Sequence, residues 1–114
     1  MAANPVAPIR KFHLVTTHSA DQASVVCSGR ITGDSVEELS NEVRRLIPEN
    51  RVIVVDLSDV DYLDSTGLGV LVGLYISAKK SGKTLKLVKL NDRIAELLRL
   101  TKLASVFEGY GEYL

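Results

Sequence analysis

The chain has 114 residues, 46% of them apolar, and its 14 Lys and Arg residues balance 14 Asp and Glu residues. This length predicts a single domain with its own apolar core, and the zero formal charge argues against nucleic acid or an anionic membrane as a direct partner. A single cysteine excludes an intramolecular disulfide, and residues 1–8 are too short and proline-rich for a secretory signal. The longest uncharged apolar stretch is far short of the ~20 residues that span a bilayer. We therefore expect a cytoplasmic protein without a membrane span.

The first third of the chain predicts a short lead and an antiparallel hairpin. We expect residues 1–9 to be disordered and residues 10–114 to form the single domain. Apolar and polar residues alternate from Arg10 to His18, which is the period of a half-buried strand, and a second strand from Ala23 to Ile31 follows a polar turn. These two strands are predicted to pair with each other.

A helix and a central strand come next. The sequence from Ser35 to Glu38 matches a capping box, and the helix that it starts is ended by Pro48. The β-branched run within 51–57 predicts a central strand that is buried on both faces. A polar loop is predicted from Ser58 to Asp64.

Three more elements complete the predicted order ββαβαβα. They are a helix from Gly67 to Lys80, a strand from Thr84 to Leu90 and a helix from Asn91 to Leu100, with Asn91 as its N-cap. Residues from Phe107 to Tyr110 are interpreted as a last edge strand. Because strands that are joined by helices run parallel, the fold class is α/β: a mixed, mainly parallel sheet with an antiparallel N-terminal hairpin and about three helices packed on it.

The segment from Asp64 to Gly69 delivers a hydroxyl group to the start of the second helix. Spacing alone leaves two arrangements open. Either Ser65 caps the helix with its own oxygen, or Asp64 caps it and leaves Ser65 as the first helical residue, with an exposed hydroxyl that can be modified.

Catalysis and metal binding are both disfavoured at this segment. A nucleophilic Ser65 needs a general base, and His13 and His18 lie five residues apart on a strand, hence on opposite faces. The nearby carboxylates lack the glycine and the final glutamate of a calcium loop, and the spacing of the glycines departs from a dinucleotide fingerprint. These carboxylates are Asp56, Asp59, Asp61 and Asp64. We therefore predict no enzymatic activity, no metal and no cofactor.

The second helix carries more apolar side chains than one face requires. The residues expected to face the sheet are Leu68, Leu71, Val72, Tyr75 and Ile76. Val70 is expected on the opposite side and Leu74 toward the edge, so this surplus beside an exposed hydroxyl is a candidate docking patch. The residues interpreted as favourable charges at the end of this helix are Lys79, Lys80 and Lys83.

From Val54 to Gly69, where an aspartate ends a buried strand and Asp64-Ser65-Thr66-Gly67 opens a helix, the chain resembles the STAS domain of bacterial anti-sigma factor antagonists. The resemblance extends, in element order, from about Phe12 to Tyr110. It implies that Ser65 is phosphorylated by an anti-sigma factor that is itself a serine kinase. By this resemblance the unmodified antagonist binds the kinase and frees a sigma factor, the phosphorylated form dissociates, and a PP2C-type phosphatase resets it.

The resemblance also implies a non-enzymatic binding module, with Mg-ATP held by the kinase. The residues expected at the partner-binding surface are Asp61, Asp64, Ser65, Thr66, Gly67, Val70 and Leu74. Asp56 and Ser58 are expected to hold the preceding loop in shape. An alternative keeps the fold but makes the same helix a permanent docking surface, in an accessory subunit of a membrane transporter or of a larger signalling complex.

Three features depart from the family pattern. Thr32 follows Gly29-Arg30-Ile31 where relatives often carry an acidic residue, which puts any partner contact of that acid in doubt. Lys102 replaces a frequent glycine. The chain stops at Leu114 where many relatives continue, so we expect their terminal helix to be absent or reduced.

Overall fold

The computed structural model describes residues 10–107, which form a four-stranded sheet and three α-helices. The elements are β1 (His13–Ser19), β2 (Gln22–Ile31), α1 (Val36–Leu46), β3 (Val52–Leu63), α2 (Ser65–Lys80), β4 (Thr84–Val88) and α3 (Asp92–Leu100). A 3₁₀ turn, Ile47–Glu49, follows α1. The predicted lead and all but the first residue of the predicted last strand lie outside the described residues; Phe107 itself is buried.

The sheet order is β1-β2-β3-β4. Strands β1 and β2 pair antiparallel, whereas β2 with β3 and β3 with β4 pair parallel. The predicted hairpin, the parallel helix-connected strands and the fold class are therefore confirmed.

One face of the sheet carries the core. The buried strand residues of the core include Ala23, Val25, Cys27, Ile53, Val55, Leu57, Leu85 and Leu87, and they form one cluster with residues of all three helices. Burial raises the pKa of the Cys27 thiol to about 12. No helix within residues 10–107 has the length and apolar character needed to cross a bilayer.

The opposite face of the sheet is only half-buried, which corrects the prediction for the central strand. Val52 and Val54 are partly exposed, while Ile53 and Val55 are fully buried. The strand order never reverses along the chain, and right-handed crossovers then keep the connecting helices on one side. The β-branched run thus reflects a strand that is central in the sheet but covered on one face.

The predicted polar loop before α2 is the second half of β3. Val60 pairs with Gly29 after one irregularity in the β2–β3 register, and Leu63 pairs with Ile31 after a second. Gly29 adopts a φ of +86°, and a Cβ there would lie 2.2 Å from the carbonyl oxygen of Lys11. Because β3 stays paired with β2 up to its last residue, Leu63, only one residue separates the end of β3 from the start of α2.

Of two predicted helix caps, the structure confirms the one at α3 and contradicts the one at α1. Asn91 does cap α3, since its Oδ1 accepts from the Ile94 amide at 2.9 Å. Ser35 does not form the predicted capping box, because its hydroxyl accepts from the Thr32 amide and donates to the Arg30 carbonyl, both at 2.9 Å. The end of β2 thus competes successfully for the hydroxyl that would have capped α1.

Lys83 has a different role from the one predicted at the end of α2. Its Nζ donates to the carbonyl oxygens of Ile47 at 2.7 Å and Asn50 at 3.0 Å. These carbonyls lie at and just after the 3₁₀ turn, where the last carbonyl groups of a helix have no backbone amide within the helix to donate to them. Lys83 therefore caps the end of the α1 segment rather than α2.

Candidate functional site

Asp64 caps α2. Its backbone is extended, and its carboxylate accepts from the Gly67 amide at 2.8 Å and, through the second oxygen, from the Gly33 amide at 3.3 Å. The carbonyl oxygen of Asp64 accepts from the Leu68 amide at 2.9 Å and so starts the helical pattern. Of the two arrangements that the spacing allowed, the structure therefore has the one with an aspartate cap.

Ser65 is consequently the first residue of α2, and its side chain is exposed. Within residues 10–107 no group forms a hydrogen bond with its hydroxyl. The hydroxyl stands at the positive end of the helix dipole, which favours a negative group at that position. This arrangement leaves the oxygen accessible to an incoming enzyme.

Close packing fixes the start of α2 on the sheet. A Cβ at Gly67 would lie 2.6 Å from the carbonyl oxygen of Ile31 and 2.7 Å from Cδ1 of Leu63. The same Ile31 oxygen accepts from the Asp64 amide at 3.2 Å. Gly67 is buried, so it positions the proposed surface and has no side chain to offer a partner.

The structure separates the predicted partner-binding residues into accessible and inaccessible ones. Ser65, Thr66 and Asp61 are exposed, and Asp64 and Val70 are partly exposed. Leu74 has no exposed surface, so its predicted place in a docking surface is wrong. The buried face of α2 includes Leu71, Leu74, Tyr75 and Ala78, whereas Ile76, which was expected to face the sheet, is 45% exposed.

An arginine that no sequence motif selects organises the acidic end of β3. The Arg10 guanidinium lies 2.7 Å from Asp59 Oδ2 and 2.7 Å from Asp61 Oδ1. Hydrogen bonding to Asp59 and attraction to both carboxylates raise the pKa of Arg10. A separation of 49 residues between Arg10 and Asp59 leaves no local signal for this cluster.

Asp56 and Ser58 lie where the β2–β3 register first becomes irregular. Asp56 is 8% exposed, and its Oδ1 accepts from the Ser58 amide at 2.9 Å. Its other oxygen lies 3.6 Å from Lys89 Nζ. The carboxylate is therefore fully engaged in local structure.

The other titratable residues of the described part of the chain are dispersed. Within residues 10–107 no group of three or more His, Cys, Asp and Glu side chains is arranged to hold a metal ion. His13 and His18 are both exposed on β1 and fall on opposite faces of the sheet, as the paired positions Ser28 and Ala23 show. The hydroxyl of Ser65, beside the Asp64 cap at the first position of α2, is exposed, as is that of the next residue, Thr66.

Comparison with known proteins agrees with this architecture. The family model described as "Mlab, STAS domain" matches residues 15–108. The anti-sigma-B factor antagonist of Bacillus subtilis is 36% identical over 81 residues, covering 71% of this chain and 74% of the relative. The antagonist of the same description from Staphylococcus aureus is 36% identical over 93 residues, covering 81% and 86%.

A solved structure gives the same result for the fold. The crystal structure of an anti-sigma factor antagonist from Mycobacterium paratuberculosis superimposes with a TM-score of 0.78 at 22% identity, covering 89% of this chain and 86% of that one. The family model alone covers most of the chain, and the two bacterial relatives are matched over more than two thirds of their lengths. The chain therefore belongs to the STAS domain family of bacterial anti-sigma factor antagonists.

Proposed function

We propose that this protein is a phosphorylation-switched antagonist of an anti-sigma factor. In the unmodified form, the surface around Ser65 binds an anti-sigma factor that is also a serine kinase, and a sigma factor is released. Phosphate on Ser65 ends this binding, and a PP2C-type phosphatase restores it. Mg-ATP belongs to the kinase, and the antagonist itself acts as a binding module without catalytic activity.

The observation that carries the proposal is the free hydroxyl of Ser65 at the first position of α2. Asp64 supplies the cap, so the serine oxygen is not required for helix stability. The side chain is exposed, so a kinase can reach it without unfolding the helix. A phosphoacceptor that is reversibly modified needs both properties.

The fold is expected to tolerate the modification. A phosphate adds about 1.5 to 2 negative charges at neutral pH. The helix N-terminus favours such a charge by roughly 0.3–2 kcal/mol, and this offsets part of its repulsion with the adjacent Asp64 carboxylate. The phosphorylated chain should therefore remain folded.

The complex is expected to be far more sensitive than the fold. A partner seated on Ser65 must desolvate the new charge, and an unpaired charge within an interface costs roughly 2–5 kcal/mol. Each 1.4 kcal/mol corresponds to a tenfold change in affinity, so the loss is about 30-fold to several thousandfold. A local modification is thus sufficient to switch the partner off.

Binding measurements with the purified anti-sigma kinase test the proposal. The Ser65→Asp variant should bind much more weakly than the wild type while its melting temperature stays nearly unchanged. Ser19→Asp is the matched control, because Ser19 is an exposed serine at the opposite end of the sheet, paired with the first residue of β2. Equal binding by wild type and Ser65→Asp would refute the switch.

An accessory docking role in a transporter or a larger signalling complex is the competing function. It predicts capture of a transporter component rather than an anti-sigma kinase, and binding that does not depend on the charge at Ser65. A pull-down with the wild-type chain and with Ser65→Asp separates the two functions.

A further inference from the structure

An apolar groove of about 280 Å³ lies between the end of β3 and α3. It is lined by Tyr62 and Leu63 of β3 and by Ile94, Leu97 and Leu100 of α3, together with the charged side chains of Arg93 and Glu96. Leu100 is 65% exposed, more than any other large apolar residue in the described part of the chain, and Tyr62 is 37% exposed. Apolar side chains exposed together around a concavity are typical of a surface that binds a partner.

The groove is formed before any partner arrives. The Arg30 guanidinium lies 4.3 Å from the centroid of the Tyr62 ring and holds that wall in place. The opposite wall is anchored by Ile94, which is 1% exposed, and by Asn91, whose side-chain Nδ2 donates to the Val60 carbonyl oxygen at 2.7 Å. A preformed site avoids part of the ordering cost of binding.

The groove is continuous with the segment that carries Ser65. Tyr62 and Leu63 are the last residues of β3, and Asp64 alone separates them from α2. At about 3.3 Å per extended residue, Tyr62 lies within roughly 10 Å of Ser65 along the chain. A protein interface of ordinary size covers about 800 Å² on each partner, which is large enough to include both Ser65 and the groove.

We propose that this groove receives an apolar side chain of the anti-sigma kinase, a proposal that rests on the function proposed above. The surface divides into two parts: the groove supplies the apolar anchor of the complex, and Ser65 supplies the charge that switches it. An aromatic and an arginine beside an aliphatic pocket match the composition of the residues that dominate binding at protein interfaces.

Three variants of the unphosphorylated chain test the groove. The binding of each to the purified anti-sigma kinase is measured by titration calorimetry. Leu100→Glu and Tyr62→Ala alter opposite walls, and each should weaken kinase binding at least tenfold. Ile76→Glu is the matched control, since Ile76 is 45% exposed and lies eleven residues, or about 16 Å of helix, beyond Ser65. It should bind within twofold of the wild type, and thermal unfolding verifies that all three variants are folded.

The outcomes distinguish the groove from the switch. If both groove variants bind like the wild type while Ser65→Asp still fails to bind, the groove proposal is overturned and the switch stands. If the wild type does not bind the kinase, both are overturned. Tighter binding by Leu100→Glu would mean that part of the chain itself fills the groove, and loss of self-association alone, seen by sedimentation, would mean that a second copy does; either result overturns the proposal.

Discussion

Replacing Gly67 by alanine places a methyl group where the start of α2 touches the sheet. The new carbon would lie 2.6 Å from the Ile31 carbonyl oxygen and 2.7 Å from Leu63 Cδ1. The oxygen is held by its hydrogen bond from the Asp64 amide, so the helix start has to move instead. Overpacking of this kind costs about 1–3 kcal/mol, against a gain of about 0.5–1 kcal/mol from replacing a helical glycine.

Gly69 offers a matched control two residues further along the same helix. It is exposed, and a Cβ there meets no atom within 4 Å. Gly69→Ala should therefore raise the free energy of unfolding by about 0.5–1 kcal/mol. Because both variants share the gain in helix propensity, the difference between them isolates the steric cost and should be about 1–3 kcal/mol, with Gly67→Ala the less stable.

Urea unfolding, monitored by circular dichroism, measures this difference. The dependence of the unfolding free energy on urea concentration should be the same for the two variants. For a chain of this size the melting temperatures should differ by roughly 4 °C per kcal/mol. Equal stability of Gly67→Ala and Gly69→Ala would refute the claim that close packing on Ile31 fixes the position of Ser65.

The other predictions concern caps and charge. Asp64→Ala should lower the free energy of unfolding by about 0.5–2 kcal/mol in urea titrations. Asp64→Ser should keep most of the stability of the wild type, because serine also caps helices. Lys83→Met should cost about 1–3 kcal/mol, since carbonyl acceptors at the end of the α1 segment lose their donor, whereas Lys80→Met, at an exposed position, should change stability little. Hydrogen bonds from Arg45 and Thr16 lower the pKa of Glu42 from its ordinary 4.5, so their stabilisation is complete above that pH and is lost below it. The stability gap between wild type and Glu42→Gln should therefore narrow in chemical unfolding as the pH falls below about 4.5, and a gap that widens there would contradict the sign.

The element order was accessible from the sequence because each element carries its own periodicity and boundary signal. Asn91 illustrates this: its position before an apolar run predicts a cap, and the structure has that cap. The extension of β3 was missed because Asp59 and Asp61 are unfavourable in isolated strands. Pairing with the irregular end of β2 and neutralisation by Arg10 overcome this local preference, and both depend on distant parts of the chain.

The orientation of α2 was predicted only in part because the helix is apolar on nearly every side. Leu74 and Ile76 are equally hydrophobic, so composition did not decide which of them faces the core. The groove was similarly hidden, because Tyr62 and Leu100 are 38 residues apart and meet only in the folded chain. An exposed Ser65 hydroxyl was one of the two arrangements that the spacing left open, and the choice between them depended on whether Asp64 caps α2.

Phosphorylation by the anti-sigma kinase in the presence of Mg-ATP tests the central claim most directly. Tandem mass spectrometry of the tryptic peptide from Val52 to Lys79 should locate an increment of about 80 Da on Ser65, and the Ser65→Ala variant should not be modified. A phosphate on Ser58 or Thr66 instead, or an unmodified peptide after complete turnover of a known substrate by the same kinase, would contradict the account.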